Sequence, residues 1–187
     1  MSSFEFVAVL FSVIIGLAIS HLLAAVSDLV ESSKRVKLYW ITSIWIITVL
    51  IWDIFSWWGL WELQSLEFWN YPSFFLVVVN LSGLYLMTTL VLPQASESKN
   101  IDLRQHYYSV RKIFFLTMTW NFSCIVLANK ILFMKPIISP FTIMPFILIV
   151  LSFLGTLIES HKYHGFLSIF TLIYLIIFMS LDMTIIK

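Results

Sequence analysis

Six long apolar runs constrain the fold of this chain more than any other feature of its sequence. They cover residues of about 4–30, 38–61, 72–92, 113–134, 137–158 and 165–186. Each has about the 20 apolar residues that a helix needs to cross a hydrocarbon core roughly 30 Å thick. Of the 187 residues, 60% are hydrophobic and only 11% are charged, which is more apolar material than one buried core can hold. We therefore predict an all-α integral membrane protein, a single polytopic domain built as a bundle of six transmembrane helices.

The junction between the fourth and fifth runs leaves an alternative open. Only Lys135 and Pro136 separate the two runs, so a tight turn must join them. Pro140 and Pro145 lie early in the fifth run, and irregular backbone at membrane depth is tolerated where protein surrounds it. The alternative fold therefore has four spans plus a re-entrant pair.

Basic residues are distributed unevenly between the two sides of the predicted bundle. The loops after the first, third and fifth runs lie on one side of the bundle, and they hold eight basic residues: Lys34, Arg35, Lys37, Lys99, Arg104, Arg111, Lys112 and Lys162. The opposite side holds only Lys130, Lys135 and Lys187. Short loops rich in lysine and arginine stay on the cytoplasmic side. We therefore predict that both termini lie outside (N-out/C-out) and that residues 94–112 form a cytoplasmic loop.

Small residues recur every four positions along the first run, at Ser12, Gly16, Ser20 and Ala24. Such a stripe allows another helix to approach closely in a membrane, where no hydrophobic effect drives helix association. We predict a helix-packing surface here, either inside the bundle or between copies of a homo-oligomer. The stripe runs on to Asp28, which we assign to the inner membrane interface together with Lys34, Arg35 and Lys37.

Polar side chains are found at similar depths in four of the predicted spans. Counted at 1.5 Å per residue, His21, Asp53, Asn80 and Asn121 lie roughly 12 to 18 Å below the outer surface. Ionisable groups at this depth are costly and usually serve a function. We predict one intramembrane polar layer, in which His21 and Asp53 lower each other's cost of burial. The alternative is that these groups only join helices by hydrogen bonds, and we favour it for the two asparagines.

Motifs of common enzyme and cofactor sites are absent from the sequence. It has no HExxH, no GxSxG and no glycine-rich phosphate loop. The cluster Glu159, His161 and His164 resembles a short set of metal ligands, but we interpret it as a solvated loop. We therefore predict no catalytic residue, no metal and no cofactor. The net charge of +1 gives no electrostatic surface for nucleic acid.

The first half of the chain resembles a widespread group of small multi-pass bacterial membrane proteins. The resemblance rests on "VIIGLAISHLL" in the first run, on the basic loop, and on "VKLYW" before the tryptophan-rich "IWIITVLIWDIFSWWGLW". It covers about the first 90 residues. The resemblance implies a bacterial inner-membrane location. Because the group has no established activity, it transfers no site residue to this chain.

Two functions fit these features. The first is an oligomeric transport or pore-forming protein whose polar layer lines a path through the bilayer. The second is a non-catalytic membrane anchor, sensor or effector subunit whose basic loops contact a separately encoded soluble protein, for instance in a bacterial defence or stress system. The sequence contains no feature that identifies an enzyme, so both hypotheses are non-enzymatic.

Overall fold

A computed structural model describes residues 3–66, 68–93, 100–134, 136 and 140–181 of the chain. These residues contain six α-helices: α1 Ser3–Glu31, α2 Trp40–Gly59, α3 Tyr71–Val91, α4 Leu103–Ile131, α5 Pro140–Leu157 and α6 His161–Leu181. Five of them are long and apolar enough to cross a membrane, α2 together with the 3-10 turn Leu60–Ser65 that continues it. Helix α5 contributes a shorter apolar stretch, Ile143–Leu157. The prediction of a predominantly α-helical protein with several membrane-length helices is confirmed.

Side-chain caps fix where two of the helices begin. Asn70 precedes α3, and its side chain accepts a hydrogen bond from the backbone N–H of Ser73 at 2.9 Å. Asp102 precedes α4, and its Oδ1 accepts from two backbone N–H groups of the first turn, at 3.0 and 3.1 Å. These caps satisfy donors that lack a partner within the helix.

Two short strands join the loops at one end of the bundle. Strand β1 (Val36–Lys37) follows α1, and strand β2 (Ile101–Asp102) precedes α4; the two pair in parallel. Lys37 Nζ lies 3.9 Å from Asp102 Oδ2 across the pair. We call this end, which also holds the α5–α6 connection at 158–160, the basic end. The end at the 3-10 turn Leu60–Ser65 is the opposite end.

The bundle has a large core and a smaller one. Helix α1 packs against α3, α3 against α4, α4 against α5, and α2 against α6. The large core includes Trp45, Phe115 and Met118, all almost fully buried. The smaller core lies toward the opposite end and includes Phe11 of α1 and Leu81 of α3. Large apolar side chains such as Leu17, Ile54, Leu116, Phe166 and Ile177 are exposed around the outside, as a bundle surrounded by lipid requires.

Two helices begin earlier in the sequence than the apolar runs predict. Helix α4 begins at Leu103 rather than at about 113, and α6 begins at His161 rather than at 165. The second part of the predicted loop 94–112 is therefore helical, while residues 94–99 lie outside the described residues. Hydropathy missed these turns because Tyr107, Arg111 and His164 are polar but buried.

Candidate functional site

A partly open cavity of about 310 Å³ lies between α2, α3, α4, α5 and α6 in the half of the bundle nearer the opposite end. It extends from the 3-10 turn at Leu60–Ser65 to mid-depth, where Trp52 of α2 and Asn80 of α3 contribute to its wall. Its volume is at the lower limit of the range typical of small-molecule sites, roughly 300–1,000 Å³, and its wall is mostly apolar as in such sites. This cavity is the candidate functional site.

Aromatic rings form much of the cavity wall. The rings of Trp52 and Phe122 have centroids 4.6 Å apart with an angle of 36° between their planes. Phe178 lies edge-on to Phe55 at 5.6 Å and beside Tyr174 at 5.7 Å. Helices α2, α4 and α6 each contribute to these aromatic walls. Aromatic side chains from three helices therefore line the cavity.

Few polar groups reach the cavity. Its described lining contains Ser56, Glu62, Asn80 and Asn129, and includes no lysine, arginine or histidine. Glu62 lies in the 3-10 turn at the opposite end, whereas Asn80 lies near the middle of α3. The only formal charge of the described lining is thus negative. The remaining polar side chains are neutral: the hydroxyl-bearing Ser56 and Tyr174, the amides of Asn80 and Asn129, and the indole of Trp52.

Asn80 and Asn121, predicted to share one depth, contact each other between α3 and α4. With the Asn121 amide nitrogen facing α3, it donates to Asn80 Oδ1 at 2.9 Å and to the Asn80 carbonyl at 3.2 Å. The Asn121 oxygen then accepts from the backbone N–H of Leu84 at 3.1 Å. Asn121 is buried behind Asn80, and only Asn80 reaches the cavity.

Asp53 is fully buried at the interface of α2 and α3. The hydroxyl of Thr88 lies 3.2 and 3.4 Å from its two carboxyl oxygens. The same hydroxyl lies 3.0 Å from the carbonyl of Leu84, one turn earlier in α3. Asp53 therefore joins two helices, and it is not part of the described cavity lining.

His21 lies apart from Asp53. It is partly buried on α1, and its ring lies beside the ring of Tyr85 with centroids 6.2 Å apart. Across the described ranges of the chain, no hydrogen bond or ion pair joins His21 to Asp53. The predicted layer is therefore divided into the Asn80–Asn121 pair, the Asp53–Thr88 pair and His21 with Tyr85. Depth alone did not determine which way each side chain points around its helix.

The stripe of small residues on α1 faces outward. Gly16, Ser20 and Ala24 are exposed and Ser12 is partly buried, and a Cβ added at Gly16 would meet nothing within 4 Å. The buried face of α1 lies instead along Val7, Phe11, Ile15, Ala18, Leu22 and Leu29. The expectation that the stripe packs inside the bundle is therefore wrong for a single chain. Contact between copies stays a prediction.

The charged residues assigned to the inner interface lie around the end of α1. Asp28, Lys34, Arg35 and Lys37 are all exposed. Lys37 is paired across the strands with Asp102, and Arg35 Nη2 donates to Ser32 Oγ at 3.3 Å. The Lys37–Asp102 contact joins the connection from α1 to α2 to the beginning of α4.

A buried polar network at the basic end was missed by the sequence analysis. We define the Arg111 network as Tyr107, Arg111, Glu159, His164 and the carbonyl of Ile158. Arg111 donates to the carbonyls of Ile158 and Thr156 at 3.2 and 3.4 Å and lies 2.9 Å from Glu159 Oε1. These carbonyls are at the C-terminal end of α5, where helix carbonyls lack partners and a cation is favoured.

His164 completes the network and corrects the interpretation of residues 159–164 as a solvated loop. Its side chain has 0% exposure. Its Nε2 donates to the carbonyl of Ile158 at 2.8 Å, so in the neutral imidazole Nδ1 accepts from the Tyr107 hydroxyl at 2.9 Å. The four-residue spacing of Tyr107 and Arg111, followed by Phe114 and Phe115, was the available indication that α4 buries this face.

Tyr39 and His161 form a second polar contact at the basic end. The Tyr39 hydroxyl lies 2.8 Å from His161 Nδ1, and the Arg104 guanidinium lies 6.0 Å from the centre of the Tyr39 ring. Burial raises the pKa of Tyr39 above its ordinary value, so its hydroxyl keeps its proton, and the tautomer of His161 determines which of the two groups donates. Glu159, His161 and His164 thus have three different partners. Within the part of the chain that the structure describes, no group of three or more His, Cys, Asp or Glu residues is arranged to hold a metal ion.

No family model, curated protein or solved structure matches this chain. Function is therefore inferred from the cavity and from the polar contacts around it.

Proposed function

We propose that this chain is a multi-pass membrane protein that binds and transports a small amphipathic molecule. The observation that carries the proposal is the cavity, which combines aromatic walls with a few polar groups and is large enough for a small molecule. No chemical step is part of this proposal. The cavity resembles a binding site, and transport would require it to open alternately to the two sides.

The same proposal assigns the bundle to a bacterial inner membrane. It crosses the membrane six times, with both termini outside and the basic end in the cytoplasm. The bias of basic residues toward the loops at that end supports this orientation. Because α5 has a shorter apolar stretch than the other helices, four spans with α5 in a re-entrant pair is the alternative arrangement.

The interior is closed between the cavity and the basic end. Trp45, Phe115 and Met118 fill the bundle there and are almost fully buried. The Arg111 network then joins α4, α5 and α6 at the basic end itself. In the proposed orientation, the cavity lies in the half of the bundle that faces the outer leaflet.

A homo-oligomer is part of the proposal. The stripe of Ser12, Gly16, Ser20 and Ala24 is directed away from the rest of the chain, and small residues are favoured where helices associate in membranes. A second copy of α1 is the partner that this surface fits.

The second candidate function is a non-catalytic membrane subunit that binds a soluble cytoplasmic protein. It is favoured by the basic end, where the paired strands and the Arg111 network hold the connecting segments in place. Lys37 and Arg104 are exposed on this ordered surface. An acidic surface on a soluble protein would complement it.

Filling the cavity tests the first function. Ala128 lines the cavity, whereas its neighbour Leu127 is exposed on the outside of α4. Ala128→Trp should abolish binding of small amphiphiles to the protein in lipid nanodiscs, and Leu127→Trp should leave it intact. The probes are benzyltrimethylammonium, N-phenyl-1-naphthylamine and octanoate, so that each charge class is represented. If no probe binds the parent protein in a manner that Ala128→Trp removes, the proposal is overturned.

A further inference from the structure

We propose that a surface at the basic end, where α2 and α6 begin side by side, binds the headgroup of an anionic phospholipid. We define this α2–α6 surface by five exposed residues from three helices: Trp40 of α2, Arg104 of α4, and His161, Lys162 and Phe166 of α6. None of the five belongs to the described lining of the cavity. The proposal therefore goes beyond the proposed transport function and does not depend on it.

Contacts around Tyr39 bring the three helices together at this surface. The His161 ring lies 5.7 Å from the Tyr39 ring, and the Arg104 guanidinium lies 6.0 Å from the centre of the same ring. Trp40 meets the His161 ring edge-on at 5.8 Å. A Cβ added at Gly165 would lie 2.7 Å from a ring carbon of Trp40, so the indole packs closely against the first turns of α6. The basic residues of α4 and α6 are therefore placed on one side of the bundle by direct contacts.

Two basic side chains of the surface have no acidic partner. Across the described residues, neither Arg104 nor Lys162 takes part in an ion pair. The carboxylates of the adjoining segments are used elsewhere, because Asp102 caps α4 and pairs with a lysine across the strands, and Glu159 pairs with the buried Arg111. The exposed charges at the end of α1 comprise two acidic and two basic residues: Asp28, Glu31, Lys34 and Arg35. The surface therefore carries a net positive charge.

The position of Lys162 on α6 places this charge at headgroup depth. The exposed apolar residues Phe166, Ile169 and Ile173 follow it by four, seven and eleven residues, so all four share one face of the helix. The apolar part of that face meets the hydrocarbon of the bilayer, and a long basic side chain at the end of such a helix reaches the interface. Trp40, which is 45% exposed beside it, is a residue type enriched at the same level.

An anionic phospholipid fits both parts of this surface. Its phosphate accepts charge-assisted hydrogen bonds from guanidinium and ammonium groups, while its acyl chains lie along the apolar face that follows Lys162. Free phosphate would gain only the polar contacts, and in a zwitterionic lipid the headgroup cation would offset the attraction. An acidic soluble protein would approach from the water and gain nothing from Phe166. The combination therefore favours a lipid as the partner.

Retention of matched lipids by the full chain tests the proposal. The protein in a neutral detergent is mixed with phosphatidylglycerol and phosphatidylcholine that carry the same two oleoyl chains, and the bound lipids are counted by native mass spectrometry. We expect phosphatidylglycerol to be retained at least about tenfold more strongly, since two basic residues contribute to its binding. Excess sodium phosphate should not displace it, because phosphate has no acyl chains.

Variants of the two basic residues identify the site. Arg104→Gln and Lys162→Gln should each lower the preference for phosphatidylglycerol roughly fivefold, the effect of one basic residue near an anionic membrane surface, and Lys162→Arg should keep it. Lys130→Gln removes an exposed lysine from the last turn of α4, far from this surface, and should have no effect. The cavity variant Ala128→Trp should also leave the preference unchanged. Melting temperatures in detergent verify that each variant is folded.

Four results would overturn the proposal. Equal retention of the two lipids would exclude recognition of the anionic headgroup. An unchanged preference in the folded Arg104→Gln, Lys162→Gln double variant would place the lipid elsewhere. Displacement of phosphatidylglycerol by sodium phosphate would mean that the surface recognises a free anion. Displacement by poly-L-glutamate that itself binds more tightly than the lipid would identify an acidic protein as the partner, in agreement with the second candidate function.

Discussion

Gly83 and Asn121 occupy adjoining space where α3 crosses α4, and the fit leaves no room for a larger residue. A Cβ added at Gly83 would lie 2.6 Å from the side-chain amide of Asn121 and 3.3 Å from a ring carbon of Trp120. Asn121 is held by its contacts with Asn80 and Leu84, so its amide cannot withdraw without losing hydrogen bonds. The absent side chain of Gly83 is thus what allows the asparagine pair to form behind the cavity wall.

Gly83→Ala should therefore destabilise the protein despite the higher helix propensity of alanine. We expect a loss of about 1–3 kcal/mol, the usual cost of adding a carbon to a tightly packed interior. Thermal unfolding in detergent measures it, with Gly16→Ala as the matched control because its added Cβ meets nothing within 4 Å. Equal melting temperatures for the two variants would mean that the close approach of α3 and α4 is absent.

The Asp53–Thr88 contact predicts a coupled pair. In a double-mutant cycle with Asp53→Leu and Thr88→Val, the coupling should be about 0.6 kcal/mol, the average for side-chain hydrogen bonds between membrane helices. Asp53→Asn should retain much of the stability, because an amide oxygen still accepts from Thr88.

A second cycle is the control for this pair. His21→Leu combined with Asp53→Leu should be additive within roughly 0.3–0.5 kcal/mol, because the two residues share no contact. Coupling between His21 and Asp53 with none between Asp53 and Thr88 would contradict the structure.

Arg111 is expected to stabilise the basic end more than any exposed basic residue. Arg111→Leu leaves the carbonyl of Thr156 without its partner in a buried position, which costs about 1–3 kcal/mol. Glu159→Gln should cost at most about 1 kcal/mol, because the side chain of Glu159 is 77% exposed and its ion pair is open to solvent.

Unfolding measurements on Arg111→Leu, Glu159→Gln and the exposed control Lys112→Leu test this order. If Lys112→Leu lowered the free energy of unfolding as much as Arg111→Leu does, the buried contacts of Arg111 would not explain its contribution to stability.

The proposed orientation is tested with single cysteines in a Cys124→Ser background. Ser65 is exposed at the opposite end and Ser33 is exposed at the basic end. In intact cells an impermeant thiol reagent should label Ser65→Cys and not Ser33→Cys, and both should react once the membrane is permeabilised. If only Ser33→Cys were labelled in intact cells, the basic end would lie outside and the proposed orientation would be wrong.

Because the stripe on α1 faces outward, we predict that a substitution in it changes self-association without changing the stability of the single chain. Gly16→Leu should disrupt self-association in mild detergent while leaving the melting temperature of the monomer unchanged, because a Cβ added at Gly16 meets nothing within 4 Å. Leu17→Phe enlarges the neighbouring exposed position and should not affect association. Cross-linking and elution volume measure the oligomer, and unaltered association of Gly16→Leu would remove the stripe from the proposed interface.

Hydropathy predicted the helices well and the contacts between them poorly, for a physical reason. A run long enough to cross a bilayer determines that a helix forms, so α1, α2 and α3 follow the predicted runs closely. It does not determine how each helix is rotated. The His21–Asp53 pairing was inferred from the similar depth of the two residues, and the packing of the stripe inside the bundle was inferred from residue spacing along α1. Both inferences depend on how each helix is rotated about its axis.

Buried polar groups caused the other errors. Tyr107 and His164 form a hydrogen bond with each other, and Arg111 donates to the carbonyls of Ile158 and Thr156. A window that averages hydropathy assigns such residues to a loop although they are buried. The cavity had no sequence indication at all, because its wall combines residues from five helices. Only the asparagine pair, in which each residue alone was already favoured as a helix-joining group, lies close to the expected arrangement.

The carbonyl of Ile158, which directly follows α5, accepts hydrogen bonds from both Arg111 of α4 and His164 of α6. One peptide group therefore connects three helices at the basic end. If the helices tilt about this shared contact, their displacement increases with distance from it. Phe178 is fourteen residues beyond His164 on α6, or about 21 Å along the axis, so a tilt of about 5° would move it by about 2 Å. A change too small to break any contact at the basic end would therefore suffice to widen or close the aromatic walls at the other.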